Sequence, residues 1–407
     1  MSRRTDSRAP RDPRLDPRPR LGPLYLAGFT TAFGAHGVAA ALGTESENIG
    51  LTLWGLGLIL ALYDIAEVVL KPVFGALSDR IGTKPVIVGG LLVFAAASAL
   101  GVFAASPALL ALARLAQGGA AAAFSPASSS AVARMVGPGQ AGRYFGKYGS
   151  WKSLGYAGGP LIGGALILWL GLPALFVVLA VLAAVAAIAT AWRVPALPVL
   201  PKQRVTVVEL FRQSTAPAFL GPVTLLAVAT STLGIAVGFF PLIGAQLGLN
   251  PIVGMGLVSV IAVISAAVQP RIGRLHDEAA HRAGPLMAAG SVALVLSLVL
   301  AGAIPALPIL IVAAVLVGAG VGIVTPLGFA RLAATTPPDR MGRTMGSAEL
   351  GREIGDAGGP ILVGAVAAAA SLPIALVVVS IATAASAALG ATWAGRGTPA
   401  AAEDDRG

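Results

Sequence analysis

Residues 146–164 read GKYGSWKSLGYAGGPLIGG, and residues 346–364 read GSAELGREIGDAGGPILVG. Gly146, Gly155, Gly159, Pro160 and Gly164 recur 200 positions later as Gly346, Gly355, Gly359, Pro360 and Gly364. A segment has been duplicated, and the same offset pairs Pro126 with Pro326, Gly118 with Gly318 and Lys152 with Arg352. Gly75 and Asp79 match Gly273 and Asp277 at an offset of 198. Because the copies lie in strongly apolar sequence, they predict two fused bundles of membrane helices related as parallel repeats.

Composition supports that reading. Of 407 residues, 56% are hydrophobic and only 11% charged, and the mean hydropathy is +0.84, too few charges for a soluble surface of this size. A spanning helix needs about 20 apolar residues, and the apolar runs accommodate twelve helices, six per half. The expected fold is therefore all-α, with twelve transmembrane helices in two pseudo-symmetric six-helix bundles. Strands are not expected, since the runs are too long for barrel strands and lack period-2 alternation. Residues 1–20 predict a disordered basic tail, 21–192 the first bundle, 193–215 a proline-rich cationic linker, 216–394 the second bundle and 395–407 a polar tail. The first apolar run follows a Pro/Arg-rich tail without a convincing cleavage site and is read as a retained helix. With no cysteine and three histidines, disulfides and thiolate metal sites are excluded, and neither a histidine-based metal site nor a cofactor is expected.

The net charge of +10 is explained by position rather than by a nucleic-acid partner. Arg80, Lys84, Arg134, Arg143, Lys202, Arg204, Arg212, Arg271, Arg274, Arg282, Arg340 and Arg343 all fall in the even-to-odd loops, while the opposite loops carry no Lys or Arg. This separation predicts a multi-pass protein of the cytoplasmic (inner) membrane with both termini in the cytoplasm.

At the end of the second apolar run stands Pro72-x-x-Gly75-Ala-Leu77-Ser-Asp79-Arg80-Ile-Gly82-Thr83-Lys84. This loop resembles that of the major facilitator superfamily between helices two and three. The resemblance implies a cytoplasmic gate in which the glycines permit tight contact, Asp79 meets the N-terminal end of helix eleven, and Arg80 and Lys84 anchor the face. A carboxylate at a helix N-terminus is favoured by the unpaired N–H groups and the dipole. Thr83 departs from the family pattern, which has a cation there. Arg114-Leu-Ala-Gln117-Gly118 in helix four resembles the family's second motif, whose arginine is linked to proton transfer. Arg114 lies only about two turns from the outer end, so it either couples protons or braces a neighbouring helix. The skeleton Gly146, Gly155, Gly159, Pro160, Gly163 and Gly164 resembles the packing motif of the drug/proton antiporter branch, implying a helix that seals the interface between halves. Ala/Gly-rich packing or common origin alone also accounts for it.

Charges inside the membrane are the most individual feature. Helix two carries Asp64, Glu67 and Lys71 along one face, and helix eleven carries Glu349, Arg352, Glu353 and Asp356 along another. In the superfamily fold these helices meet across the boundary between halves. Counting residues from the cytoplasmic edge at about 1.5 Å each sets Asp64 level with Asp356. The count predicts an inter-half ladder, Lys71 with Glu349 and Glu67 with Arg352, which leaves Asp64, Glu353 and Asp356 short of counter-charge. Such carboxylates in a low-dielectric site can hold a proton; Asp64, Glu67, Glu353 and Asp356 of the ladder, together with Arg114, whose role the family resemblance implies, are the proton-coupling candidates. A static salt-bridge seam is the competing reading. Helix five has Gly149, Ser153 and Tyr156 where helix eleven has Glu349, Glu353 and Asp356.

In the superfamily fold helices one, four, seven and ten line the cavity, so the resemblance implies a substrate cavity bordered by His36, Phe124, Ser125, Thr230, Phe239 and Thr325, a lining suited to an apolar or amphipathic compound. A packed, hydrogen-bonded imidazole is the competing reading of His36. No enzyme site and no phosphate-cradling Gly-x4-Gly-Lys-Ser/Thr loop is present. The expected function is proton-coupled efflux of small apolar compounds by alternating access. Its expected partners are the bilayer, a small-molecule substrate and protons, with no nucleic acid, in a monomer. A proton symporter importing a metabolite and a non-transporting receptor or scaffold are the alternatives.

Overall fold

The computed structural model describes residues 20–45, 53–104, 106–136, 138–199 and 215–396. The expected N-terminal tail up to residue 19, the linker from 200 to 214 with Lys202, Arg204 and Arg212, and the tail beyond 396 lie outside them. Twelve long helices run in order: α1 Gly22–Glu45, α2 Leu53–Ile81, α3 Thr83–Val102, α4 Pro107–Val136, α5 Ala141–Leu170, α6 Leu172–Arg193, α7 Pro217–Gln246, α8 Pro251–Glu278, α9 Ala283–Ala303, α10 Leu307–Thr335, α11 Met341–Ala369 and α12 Leu372–Arg396. The twelve apolar runs thus correspond to twelve helices. Among the described residues, nine of them are long and apolar enough to cross a membrane.

Prolines inside helices follow the duplication. Pro126 and Pro326, Pro160 and Pro360, and Pro72 and Pro270 occupy matching places in α4 and α10, α5 and α11, and α2 and α8. Helix changes are abrupt where glycine permits them: Gly82 between α2 and α3 has φ 95°, a left-handed value that a β-carbon disfavours. The segment after α6 is tied back by Arg134, which donates to the Pro198 carbonyl at 2.6 Å.

Helices α1–α6 pack around buried Phe33, Phe94, Phe124 and Phe176, and α7–α12 around Phe240, Leu294, Leu298 and Leu310. Helices α3, α6, α9 and α12 pack within their own half, whereas α2 meets α11 and α5 meets α8 across the boundary. Outward faces carry exposed Val69, Trp169, Trp192 and Ile361, as a lipid-facing surface requires. Two seams therefore join the halves, and the buried charges Glu67, Lys71, Lys152, Glu349 and Arg352 lie on the helices that form them.

Candidate functional site

Each seam is closed at the same end of the bundle by the same device. Asp79, at the end of α2, accepts the Gly342 N–H at 2.7 Å and the Arg343 N–H at 2.8 Å, both at the start of α11. Asp277, at the end of α8, accepts the Gly142 and Arg143 N–H groups at the start of α5, at 2.9 and 2.8 Å. Each carboxylate satisfies two donors that a helix start leaves without an intrahelical partner, with the macrodipole in its favour. The approach is so close that a β-carbon on Gly75 would meet the Gly342 carbonyl at 2.5 Å. We call this the latch end. Thr83 is buried at the first position of α3. Arg80 and Lys84 make no ion pair among the described residues.

Further in, the α2/α11 seam is held by charge. Lys71 is fully buried and its ammonium lies 2.9 Å from Glu67 Oε1 on its own helix and 2.5 Å from Glu353 Oε1 on α11. Glu349, also fully buried, is held by Lys152 of α5 at 3.4 Å and by Arg352 of its own helix at 3.1 Å. Ser129 of α4 donates to its other oxygen at 3.4 Å. The expected pairing is thus corrected: Lys71 bonds Glu353 rather than Glu349, and Arg352 bonds Glu349 rather than Glu67. Side-chain direction is the reason. Cβ atoms tilt toward the N-terminus of their helix, so in antiparallel α2 and α11 the Lys71 side chain leans away from the latch and that of Glu353 leans toward it. They meet about one turn beyond the level at which their backbones are aligned.

The other seam carries the same clasp without charge. At the offset of 198, Gln269 of α8 matches Lys71 and Ser265 matches Glu67, and at 200 Ser153 of α5 matches Glu353. Gln269 Nε2 donates to Ser153 Oγ at 2.8 Å and to Ser265 Oγ at 2.9 Å, and the two hydroxyls are 3.1 Å apart. Topology is retained and ionisation is lost. Glu349 has Gly149 as its counterpart, and Gln269 Oε1 fills the space that a β-carbon there would need. The duplication register already set Lys152 against Arg352 and Ser153 against Glu353; Gln269 and Ser265 carried no such signal, although the register that pairs Gly75 with Gly273 also pairs Lys71 with Gln269.

On the side of the clasps away from the latches is a cavity of about 560 Å³, bounded by residues of both halves. Asp64, Glu353, Asp356, His36 and Tyr156 border it, and its walls include Leu60, Val68, Val237, Val258 and Ile261. The His36 ring stands edge-on to Tyr156 with centroids 4.4 Å apart. Glu353 is the one carboxylate among the described residues that both lines this cavity and bonds a cation across the seam.

The other expected lining residues lie elsewhere. Phe124 is fully buried against Phe94 in the first-half core, with ring centroids 5.9 Å apart, and Ser125 is buried beside it in α4. Thr230 donates to the Arg352 carbonyl at 2.7 Å, sealing α7 to α11, and Phe239 packs on the second-half core. Thr325 borders a much smaller void toward the latches, with Lys152, Gln269 and Arg352. Arg114 does not line the cavity: its guanidinium lies 4.3 Å from the ring centroid of Tyr63, the neighbour of Asp64, and donates to Gln117 Oε1 at 3.2 Å. Gln117 in turn donates to Ser98 at 2.9 Å, so the chain of contacts braces α4 against α2 and α3.

The duplicated glycines make the close approaches. Toward the latch a β-carbon on Gly346 would meet the Lys71 carbonyl at 2.8 Å, and Gly146 faces the Gln269 carbonyl in the same way. Farther along, a β-carbon on Gly155 would lie 2.6 Å from the Phe29 carbonyl of α1, and Gly159 and Gly163 stack on Gly37. One helix thus uses its first glycines across the halves and its later ones within its own half. Gly164 and Gly364 have nothing within 4 Å of such a carbon.

A family model described as Major Facilitator Superfamily matches residues 24–307. The chain is 38% identical over 177 residues to the inner membrane transport protein YajR of Escherichia coli, covering 43% of this chain and 38% of that one. It is 31% identical over 157 residues to a multidrug resistance protein B homolog of Mycobacterium tuberculosis, covering 39% and 29%. Likeness to multidrug resistance protein MdtH of Yersinia pestis is 30% over 180 residues, covering 42% of each. The chain therefore spans less than half the length of each of these relatives. In solved structures, the human organic anion transporter MFSD10 (TETRAN) superposes with a TM-score of 0.76 at 19% identity, covering 92% of this chain and 100% of that one. FucP in the outward conformation superposes with a TM-score of 0.77 at 14% identity, covering 92% and 98%.

Proposed function

The chain belongs to the Major Facilitator Superfamily, and from that premise we propose that it exports small apolar or amphipathic compounds in exchange for protons. The observation that carries the proposal is Glu353, which faces the inter-half cavity and bonds Lys71 across the seam. A proton delivered through the cavity neutralises Glu353 and removes the charge that holds Lys71 to the second half. Lys71 keeps Glu67, 2.9 Å away on its own helix, so its charge stays compensated while the seam loosens. Loss of the proton restores the cross-half pair. Asp64 and Asp356 line the same cavity and serve as proton-accepting groups on the route. The Gln269, Ser153 and Ser265 clasp carries no titrating group and acts as the hinge side, so protonation moves one seam and spares the other.

The charge separation along the loops supports a cytoplasmic latch end. On that orientation the cavity faces outward, with both latches closed beneath it, in a multi-pass protein of the inner membrane. The largely apolar wall, with a few acidic and aromatic groups, suits an apolar or amphipathic substrate, cationic ones included. The names of the relatives from Mycobacterium tuberculosis and Yersinia pestis, both multidrug resistance proteins, are consistent with export.

Flux in proteoliposomes under an imposed pH gradient, with a panel of dyes and drugs, tests the proposal. Substrate should move against the proton flow, and Asp64→Asn or Asp356→Asn should reduce that gradient-driven component. Co-directional movement of proton and substrate would make the protein a symporter, and unchanged gradient-driven transport in both variants would remove these two residues from coupling.

A further inference from the structure

We propose that the latch-end corner between α1, α5 and α8 is a binding site for the phosphate headgroup of an anionic phospholipid. A cavity of about 860 Å³ opens there, bounded by Arg20, Arg143, Lys147 and Arg274. These four cations face two carboxylates, Asp277 and Glu278. Asp277 is occupied by the Gly142 and Arg143 N–H groups of the latch, so positive charge is in excess and no ion pair among the described residues consumes it. Arg143 and Lys147 flank the Tyr144 ring at 5.9 and 5.8 Å from its centroid. Arg274 spends its Nε on the Pro270 carbonyl at 3.3 Å, which leaves its terminal nitrogens for a ligand.

A second observation is independent of the charges. The Tyr25 side chain borders the same cavity and is nine-tenths buried, yet its hydroxyl has no hydrogen-bond partner. A buried hydroxyl without a partner is costly, and a turn of the Tyr25 side chain toward the cavity it borders would bring the hydroxyl to an acceptor oxygen bound there. A phosphate ester supplies several such oxygens together with the negative charge that the cations lack.

The surroundings select a lipid over a free anion. On α5 the face that carries Arg143 and Lys147 continues at helical spacing through Trp151 and Leu154, both exposed. On α8 the face of Arg274 continues through Ala267 to exposed Val263. A headgroup in the cavity would therefore have its acyl chains along apolar helix faces already turned to the bilayer. Basic pockets between helices on the cytoplasmic side bind anionic headgroups in this manner. Because Arg20, Tyr25, Arg143 and Lys147 belong to the first half and Arg274 to the second, the bound lipid spans the seam beside the Asp277 latch and holds it closed.

Native mass spectrometry of the full chain in detergent, titrated separately with phosphatidylglycerol and phosphatidylcholine, tests this. Phosphatidylglycerol should be retained and phosphatidylcholine released. Lys147→Gln with Arg274→Gln should weaken retention about 25-fold, taking each cation as worth about fivefold. Tyr25→Phe, a milder change that keeps the ring, should weaken it about two- to tenfold and serves if the double variant does not fold. Equal retention of the two lipids, or unchanged retention of phosphatidylglycerol by the variants, overturns the proposal. Complete displacement by millimolar inorganic phosphate would assign the site to a soluble anion and overturn the lipid assignment.

Discussion

Replacing Lys71 with methionine removes a cation bonded at 2.9 Å to Glu67 and at 2.5 Å to Glu353 while preserving most of the side-chain volume. Glu67 is 5% exposed and has no other cation among the described residues within ion-pair distance, so its charge is stranded in a low-dielectric seam. Breaking a buried pair by removing one partner costs about 3–5 kcal/mol. Glu353 opens to the cavity, where water relieves part of its share, so a value of about 3 kcal/mol is expected. The triple substitution Lys71→Met, Glu67→Gln, Glu353→Gln removes all three charges at nearly constant shape and should recover stability to within about 1 kcal/mol of the native chain. Denaturant unfolding in detergent, followed by tryptophan fluorescence and circular dichroism, compares the variants. A single variant as stable as the native protein, or a triple variant no better than the single one, would refute this account of the clasp.

The latches should respond separately. Asp79→Ala removes two charge-assisted bonds at 2.7 and 2.8 Å and should shift the balance toward an open latch end by tenfold or more. Because the chain has no cysteine of its own, labels on Lys84→Cys and Arg282→Cys read the distance across that end directly, and an unchanged distribution would count against the latch. Gly346→Leu places atoms against the Lys71 carbonyl, already 2.8 Å from a β-carbon there, and the same label pair should report a wider latch end with transport largely lost. Arg114→Gln leaves Tyr63 and Gln117 without their partner and should cost about 1–3 kcal/mol of stability while gradient-driven transport persists. Loss of coupling without loss of stability would return Arg114 to the proton path.

The twelve helices and their duplicated frame were legible because lipid imposes long apolar runs and because glycine and proline mark close approaches and kinks whatever the surrounding sequence. The convergence of Lys71, Glu67, Glu349, Arg352 and Glu353 on one seam was legible from the helix arrangement implied by the family resemblance together with their depths. Their pairing was not, because a residue count along an axis ignores the opposite lean of side chains on antiparallel helices. Phe124 and Ser125 were misplaced for a different reason. In α4, as in lipid-embedded helices generally, core and bilayer are equally apolar, so no amphipathic stripe reveals which face turns inward. Ser153 was legible as the counterpart of Glu353, but Gln269 reads as an ordinary polar residue, because an uncharged amide in an apolar helix does not announce that it bridges two hydroxyls.

Protonation of Glu353 is proposed to release Lys71 from the second half while Glu67, on its own helix, keeps its charge compensated. Glu353→Gln fixes the neutral state, so the decisive measurement compares this variant with the native chain in the same proteoliposomes, with and without a pH gradient. The account predicts that the variant still exchanges substrate down its own gradient but no longer moves it uphill when protons are supplied. Undiminished proton-driven accumulation in the Glu353→Gln protein would contradict it.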